Sequence, residues 1–401
     1  MISRGDERIE KYNEYSFKMS LEESSDKIFR RDFIMYMNPI EVGDRIRGKE
    51  RQIPPEEIES VLNSDHDEFK AYLAADKRFK PTPSQVADFF NSRSTAVLGA
   101  LAKNPNVDFT SDQLESLFSD FGEYVKCSAI ANTRNKLTPD QVERFLNDDN
   151  PHATIALVAR GDIGFTFEQK ERLLSDPLYL VRRAAARCID DFTPAQLDTI
   201  VNDTEASVRA CSSRFIEKLN PEQIHKLAND PEAEVRKSLA ISIKNPSPDI
   251  LDKLINDPNP EVRLAAVALV KNPTPEQMEK GVYDSNIEVA KAWASLPYTP
   301  STSQLDRWMK LVDDRVLLKL IQNPEVRFTK RQVQSILTIN NGDMLKSVLE
   351  NPECNKYVTS ENLEKIMHVG GLETGNIARS ELKRRAINCI ENKASHECSG
   401  F

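Results

Sequence analysis

Four arginines stand exactly one repeat apart. Arg182, Arg209, Arg236 and Arg263 are separated by 27 residues each, and each follows a valine. A guanidinium presents a planar fork of donors that fits a phosphate or a carboxylate bidentately. A row of them could grip a polyanion. A matching row of aspartates, Asp176, Asp203, Asp230 and Asp257, keeps the same step. Equal periods in both signs point to Arg–Asp pairing inside the chain, a structural ladder, rather than to an outside ligand.

A second set of cations is irregular. Two and six places after the valine column lie Arg183, Arg187, Arg214, Lys237 and Lys291, and Arg183 and Arg187 are four apart. Residues at that spacing share a helix face. Arg307 and Lys310 open a further basic cluster that runs through Arg315, Lys319, Arg327, Lys330 and Arg331. These positions are the candidate partner-binding residues, although interspersed Asp and Glu also suit a solvated face of mixed charge. Trp293 and Trp308 are the only tryptophans. Trp293 falls four places after Val289, where other repeats carry Ala or Leu, so it is expected in the core; stacking on a base is the alternative. Cys389, His396 and Cys398 offer two thiols and an imidazole without a fourth ligand, too few for a structural zinc site. No HExxH, Walker A loop, GxSxG elbow or GxGxxG is present. No catalytic residue, metal or cofactor is assigned.

What must position these residues is a repeat. The valine column reads Val181, Val208, Val235, Val262, Val289 and Val316 at steps of 27, and steps of 28 extend it to Ala153, Val125, Val97 and Phe69 and forward to Met344. Five residues ahead of it runs an unbroken aspartate column from Asp120 to Asp284. Each unit opens with a Thr three residues before a Gln, as in Thr82–Gln85, Thr138–Gln141, Thr193–Gln196 and Thr274–Gln277, with Asn220 in the Thr place once. Thr-Pro-x-Gln is a capping box with proline at the first helical position. It starts a helix A. Asn-Asp-Pro at 229–231 and 256–258 is expected to end helix A and start helix B, and Asn-Pro at 104–105, 245–246, 272–273, 323–324 and 351–352 to close helix B. Small residues after the valine, such as Ala184, Ala185, Ala265 and Ala266, let neighbouring helices approach.

The fold class that follows is all-α, a right-handed α-solenoid of about twelve two-helix repeats with period 27–28. Stacking buries the apolar stripes that no single unit could bury alone. The array is placed at 53–368, preceded by an N-terminal cap or interaction segment at 1–52 and followed at 369–401 by a capping helix, near Ile377 to Ile390, and a loose tail.

Asp-Pro-x-x-x-Val-Arg, seen at Asp176–Arg182, Asp230–Arg236 and Asp257–Arg263, resembles the motif of HEAT-type repeats. The resemblance implies that this Asp and Arg face inward and pair between adjacent units. The Asn-Pro-x-Thr-Pro punctuation is also similar to the leucine-rich repeat variant family, whose repeats are shorter and whose cysteine cluster is absent here. HEAT-like arrays usually act as protein-binding scaffolds, and a smaller branch consists of DNA glycosylases that recognise alkylated bases.

Composition narrows the functions. The net charge of −9 lacks the basic excess typical of nucleic-acid binders. Six scattered cysteines fit free thiols in a reducing compartment, and no run of apolar residues is long enough to span a membrane. The expectation is a cytoplasmic, non-catalytic scaffold or adaptor that holds a protein partner on the concave helix-B face. Its alternatives are a nucleic-acid-binding solenoid, including a glycosylase-like one, and a regulatory subunit of a larger complex. The oligomeric state is open.

Overall fold

The computed structural model describes residues 55–63, 67–339 and 341–397. The expected segment at 1–52 lies outside them. All regular structure among the described residues is helical, and the chain is an all-α solenoid of repeated helix pairs. It divides at Leu219/Asn220 into two compact units.

In the N-terminal unit six A helices alternate with six B helices, from Pro55–Leu62 and Asp67–Ala75 to Pro194–Val201 and Ala206–Cys211. In the C-terminal unit six further pairs run from Pro221–Ala228 and Ala233–Ser242 to Ser360–Val369 and Gly371–Glu397. Within each unit the successive B helices pack on one another in a row, most A helices pack on their own B helix, and contacts between A helices are sparser.

Local chemistry accounts for the helix ends. The reciprocal capping box forms at Thr82, Thr110, Thr138, Thr166, Thr193, Asn220, Thr274 and Thr329, and also at Ser301 and at Thr359 with Asn362. Asn202, Asn229 and Asn256 close helix A by donating from Nδ2 to the carbonyl four residues back, at 2.7 Å each. The aspartate that follows makes the corner: Oδ1 of Asp176, Asp203, Asp230, Asp257 and Asp284 accepts from the amide two residues on. Helix B therefore starts later than the Asn-Asp-Pro triplet suggests, at Ala233 and at Pro260. The proline sits inside the Asx turn, not at the helix start.

The core is a stripe of aliphatic residues from both helices. The valine column is buried throughout, from Val97 to Val316. Gly99 permits the closest approach: a Cβ there would lie 2.1 Å from the Tyr124 ring. Trp293 and Trp308 are both core residues, at 2% and 0% exposure. The Trp293 ring fills the space beside Gly281, where a Cβ would meet it at 2.2 Å. Buried in this way, it offers no face to a base.

The last helix runs Gly371–Glu397, longer than the expected Ile377–Ile390 and continuous through most of the expected tail. Arg385 fixes it to the preceding repeat, donating to the Val358 carbonyl (2.5 Å) and to the carbonyl and side chain of Asn355 (3.0 and 2.7 Å).

Candidate partner-binding face

The regular arginines are engaged inside the protein. Arg182 donates to both Asp203 carboxylate oxygens at 2.7 and 2.8 Å, and its third nitrogen reaches the Asp176 carbonyl. Arg236 repeats this on Asp257 at 2.6 and 2.8 Å and on the Asp230 carbonyl at 2.6 Å. Arg263 repeats it on Asp284 and the Asp257 carbonyl. Arg209 donates to the carbonyls of Asp203 and Thr204. The Arg236–Asp257 side chains are 10% and 2% exposed, and the partner carboxylate holds Arg236 above its ordinary pKa. Lys126 takes the same place two repeats before Arg182, bridging Glu123 and Asp148.

A second ladder replaces this one in the 28-residue repeats. Seven places after the valine column, Asn104 donates to the carbonyls of Ala74, Asp76 and Phe79 at 2.9–3.3 Å. Asn132 reaches the carbonyls of Ala102 and Asn104, Arg160 those of Ile130, Asn132 and Asn135, and Asn323 those of Ala294 and Leu296. Asn351 reaches that of Ile321. Each reaches a carbonyl in the last turn of the previous helix B, where the helical ladder runs out of donors. Read from sequence as punctuation only, these asparagines had a signal available: Asn104 and Asn132, and Asn323 and Asn351, are each 28 apart.

The outer surface of helix A is closed by pairs between repeats: Glu115–Arg144 (2.9 Å), Glu143–Arg172 (2.7 Å) and Glu279–Arg307 (3.1 Å). Arg172 and Gln169 together hold the Glu143 carboxyl at about 2. Capping glutamines join in: Gln141, Gln169 and Gln332 also donate to Glu115, Glu143 and Asp306. At Gln196 the equivalent place holds Lys170, which turns to Asp191, and the buried Gln196 amide nitrogen is left without a partner. Arg307 therefore belongs to helix A, and so does Lys310, which is exposed on Thr302–Leu311.

The irregular positions of helix B divide into two groups. In the C-terminal unit Lys237 pairs with Glu261 at 2.6 Å and Lys291 with Glu288 at 2.9 Å. On the same face Ile241 and Leu264 are 67% and 40% exposed, a feature the charge-led reading did not single out. In the N-terminal unit Arg183 is half-buried and Arg187 exposed on Tyr179–Cys188, and among the described residues no ion pair forms to either. Arg214 is brought to the same place by a change of helix type. Cys211, Ser212 and Ser213 each bond back to a carbonyl three or four residues earlier, competing with the α-helical ladder, and residues Ser212–Lys218 wind as a 3₁₀ helix. Arg214 then donates to the Ile189 carbonyl at 3.2 Å and to Asp190 at 2.5 Å, and lies over the Phe215 ring. Burial pushes the Cys211 thiol up, opposed by the charges of Arg183, Arg187 and Arg214.

Among the described residues no cluster of His, Cys, Asp and Glu could hold a metal. The Cys389, His396 and Cys398 set lies outside the residues whose side chains are described. No described helix is long and apolar enough to cross a membrane.

No family model and no curated protein matches the chain. Among solved structures, it is similar to a leucine-rich repeat variant with a novel repetitive structural motif, at 23% identity over 58% of this chain and 87% of that one, TM-score 0.38. It is also similar to YibA of E. coli, at 16% identity over 76% of this chain and 99% of that one, TM-score 0.32.

Proposed function

We propose that this protein is a non-catalytic scaffold or adaptor that holds a protein partner on its helix-B face. The observation that supports this reading is a contrast between two surfaces. Helix A spends its charges on neighbouring repeats, in Glu115–Arg144, Glu143–Arg172 and Glu279–Arg307. In one unit the B face keeps Arg183 and Arg187 without a counter-ion among the described residues; in the other it leaves Ile241 and Leu264 in water. Exposed apolar side chains beside charged ones, as Ile241 stands four residues from Lys237 on one helix, are what a protein interface uses.

The test is capture from an extract of the native cell, with the protein bound at equal amounts in three forms. The wild type is expected to retain a partner that Ile241→Glu/Leu264→Glu loses and that Lys310→Glu keeps. Equal capture by all three, or retention of nucleic acid alone, overturns the reading.

A further inference from the structure

The B helices differ in where they carry carboxylates. In the C-terminal unit the residue before the valine is Glu234, Glu261 or Glu288, and Glu261 and Glu288 neutralise the lysines beside them. In the N-terminal unit the equivalent places hold Leu180 and Ser207. The helices Pro151–Ala159, Tyr179–Cys188 and Ala206–Cys211 contain no Asp or Glu at all. Carboxylates are missing where Arg183 and Arg187 stand four apart, on one side of their helix. The carboxylate that does face this cluster, Asp190, follows the helix end and is taken by Arg214. Lys218 adds a further cation there, donating to the Asp190 carbonyl at 2.9 Å.

We infer that Arg183, Arg187 and Arg214 form an acceptor for the carboxylates of an acidic peptide segment of a protein partner. The inference rests on the scaffold reading and names the chemistry of its partner. Charge complementarity selects the occupant: Arg183 and Arg187 share one side of their helix, Arg214 is bonded to the Ile189 carbonyl just past its end, and the chain as a whole carries a net charge of −9. The same facts disfavour nucleic acid. A polyanion needs a continued row of cations, and on Pro151–Ala159 the matching positions are Ile155 and Ala159. A short acidic segment needs only the cluster.

The test uses the full chain and three fluorescein-labelled probes: a short peptide of alternating Glu and Ala, its Gln and Ala counterpart, and a single-stranded thymidine oligonucleotide. Fluorescence anisotropy is read across a salt series. The Glu peptide is expected to bind, weaken with salt, and lose roughly 10-fold or more in affinity in Arg183→Gln/Arg187→Gln. Lys310→Glu leaves its affinity unchanged. Bound Glu peptide also protects Cys211 from alkylation, which locates it. Circular dichroism checks that the variants fold; should the double variant unfold, the Cys211 protection and the preference for Glu over Gln decide alone. Equal binding of the Glu and Gln peptides, absence of binding, or oligonucleotide binding in place of the Glu peptide overturns the inference. If it fails while Ile241→Glu/Leu264→Glu still abolishes capture, the scaffold reading stands and only the acidic partner is lost.

Discussion

The repeats around Asp176–Asp284 and the repeats that flank them solve one problem at opposite ends of the same helix. In the central set a charged staple sits near the start of helix B, where Arg182, Arg236 and Arg263 reach the aspartate of the next corner. In the flanking set the staple lies at the end of helix B, where Asn104, Asn132, Arg160, Asn323 and Asn351 reach back to the carbonyls of the previous helix. The two barely overlap. Where the first column holds Arg, the second holds Cys188, Phe215, Ser242 and Leu269; where the second holds Asn, the first holds Leu98, Lys126, Leu317 and Leu345. Only the repeat of Lys126 and Asn132 carries both. Either end of helix B can provide an inter-repeat staple, and the repeat with Ala290 and Leu296 in the two columns has neither.

The largest effect expected from breaking this comparison is at Arg236. Arg236→Ala leaves the Asp257 carboxylate buried without its partner, and should cost about 3–5 kcal/mol. Urea denaturation measures it, and affinity for any B-face partner should be nearly unchanged. Lost binding with an unchanged urea midpoint would instead make Arg236 a contact residue. Asn104→Ala should cost less, about 1–3 kcal/mol, because it strands neutral carbonyls rather than a charge. If Asn104→Ala costs as much as Arg236→Ala, the charged and neutral staples are equivalent and the contrast loses its energetic meaning.

Gly281→Ala tests packing without either staple. Its Cβ collides with the Trp293 ring, and a thermal-melting loss of about 1–3 kcal/mol is expected. Thr193→Ala removes one hydroxyl from a capping box that acts within its own repeat. It should cost about 0.5–2 kcal/mol, with no dependence on which staple its neighbours use.

The smallest effect is in acid. Arg384 and Arg385 hold the Glu381 carboxyl at about 2, below its ordinary 4.5. A depressed carboxylate pKa stabilises the fold above the unfolded value and the contribution fades as pH falls toward the folded one. Glu381→Gln should therefore lower the urea midpoint slightly at pH 7, with the difference from wild type shrinking between pH 4.5 and 2. A difference that stays constant through that window would exclude the ion pair as its source.

The fold was legible because its strongest signals are local. A Thr, a Pro and a Gln within four residues specify a helix start whatever lies beyond them, and the Asp column marks the corner that follows. The interlocking was less legible because it depends on where a side chain ends after the backbone has turned. The 28-residue step from Asn104 to Asn132 marks a repeated position, but only the stacked geometry shows the Asn104 amide at three carbonyls of the repeat before. Arg214 reads as an exposed cation on helix B, six places after its valine, the place Arg187 takes one repeat earlier. Three short polar side chains tighten that helix, and Arg214 arrives at the Ile189 carbonyl instead of projecting freely. The exposure of Ile241 was hidden for a related reason: an isoleucine in an amphipathic helix reads as core until its neighbours are placed.

Both kinds of staple close short loops. The Arg–Asp bonds span 21 residues and the Asn and Arg amide bonds up to 30. Contact order in each unit is accordingly low, and the entropy of ring closure is nearly the same at every rung. Ordering can begin at any helix pair and spread in either direction, so the folding rate of such an array should depend little on how many repeats it contains.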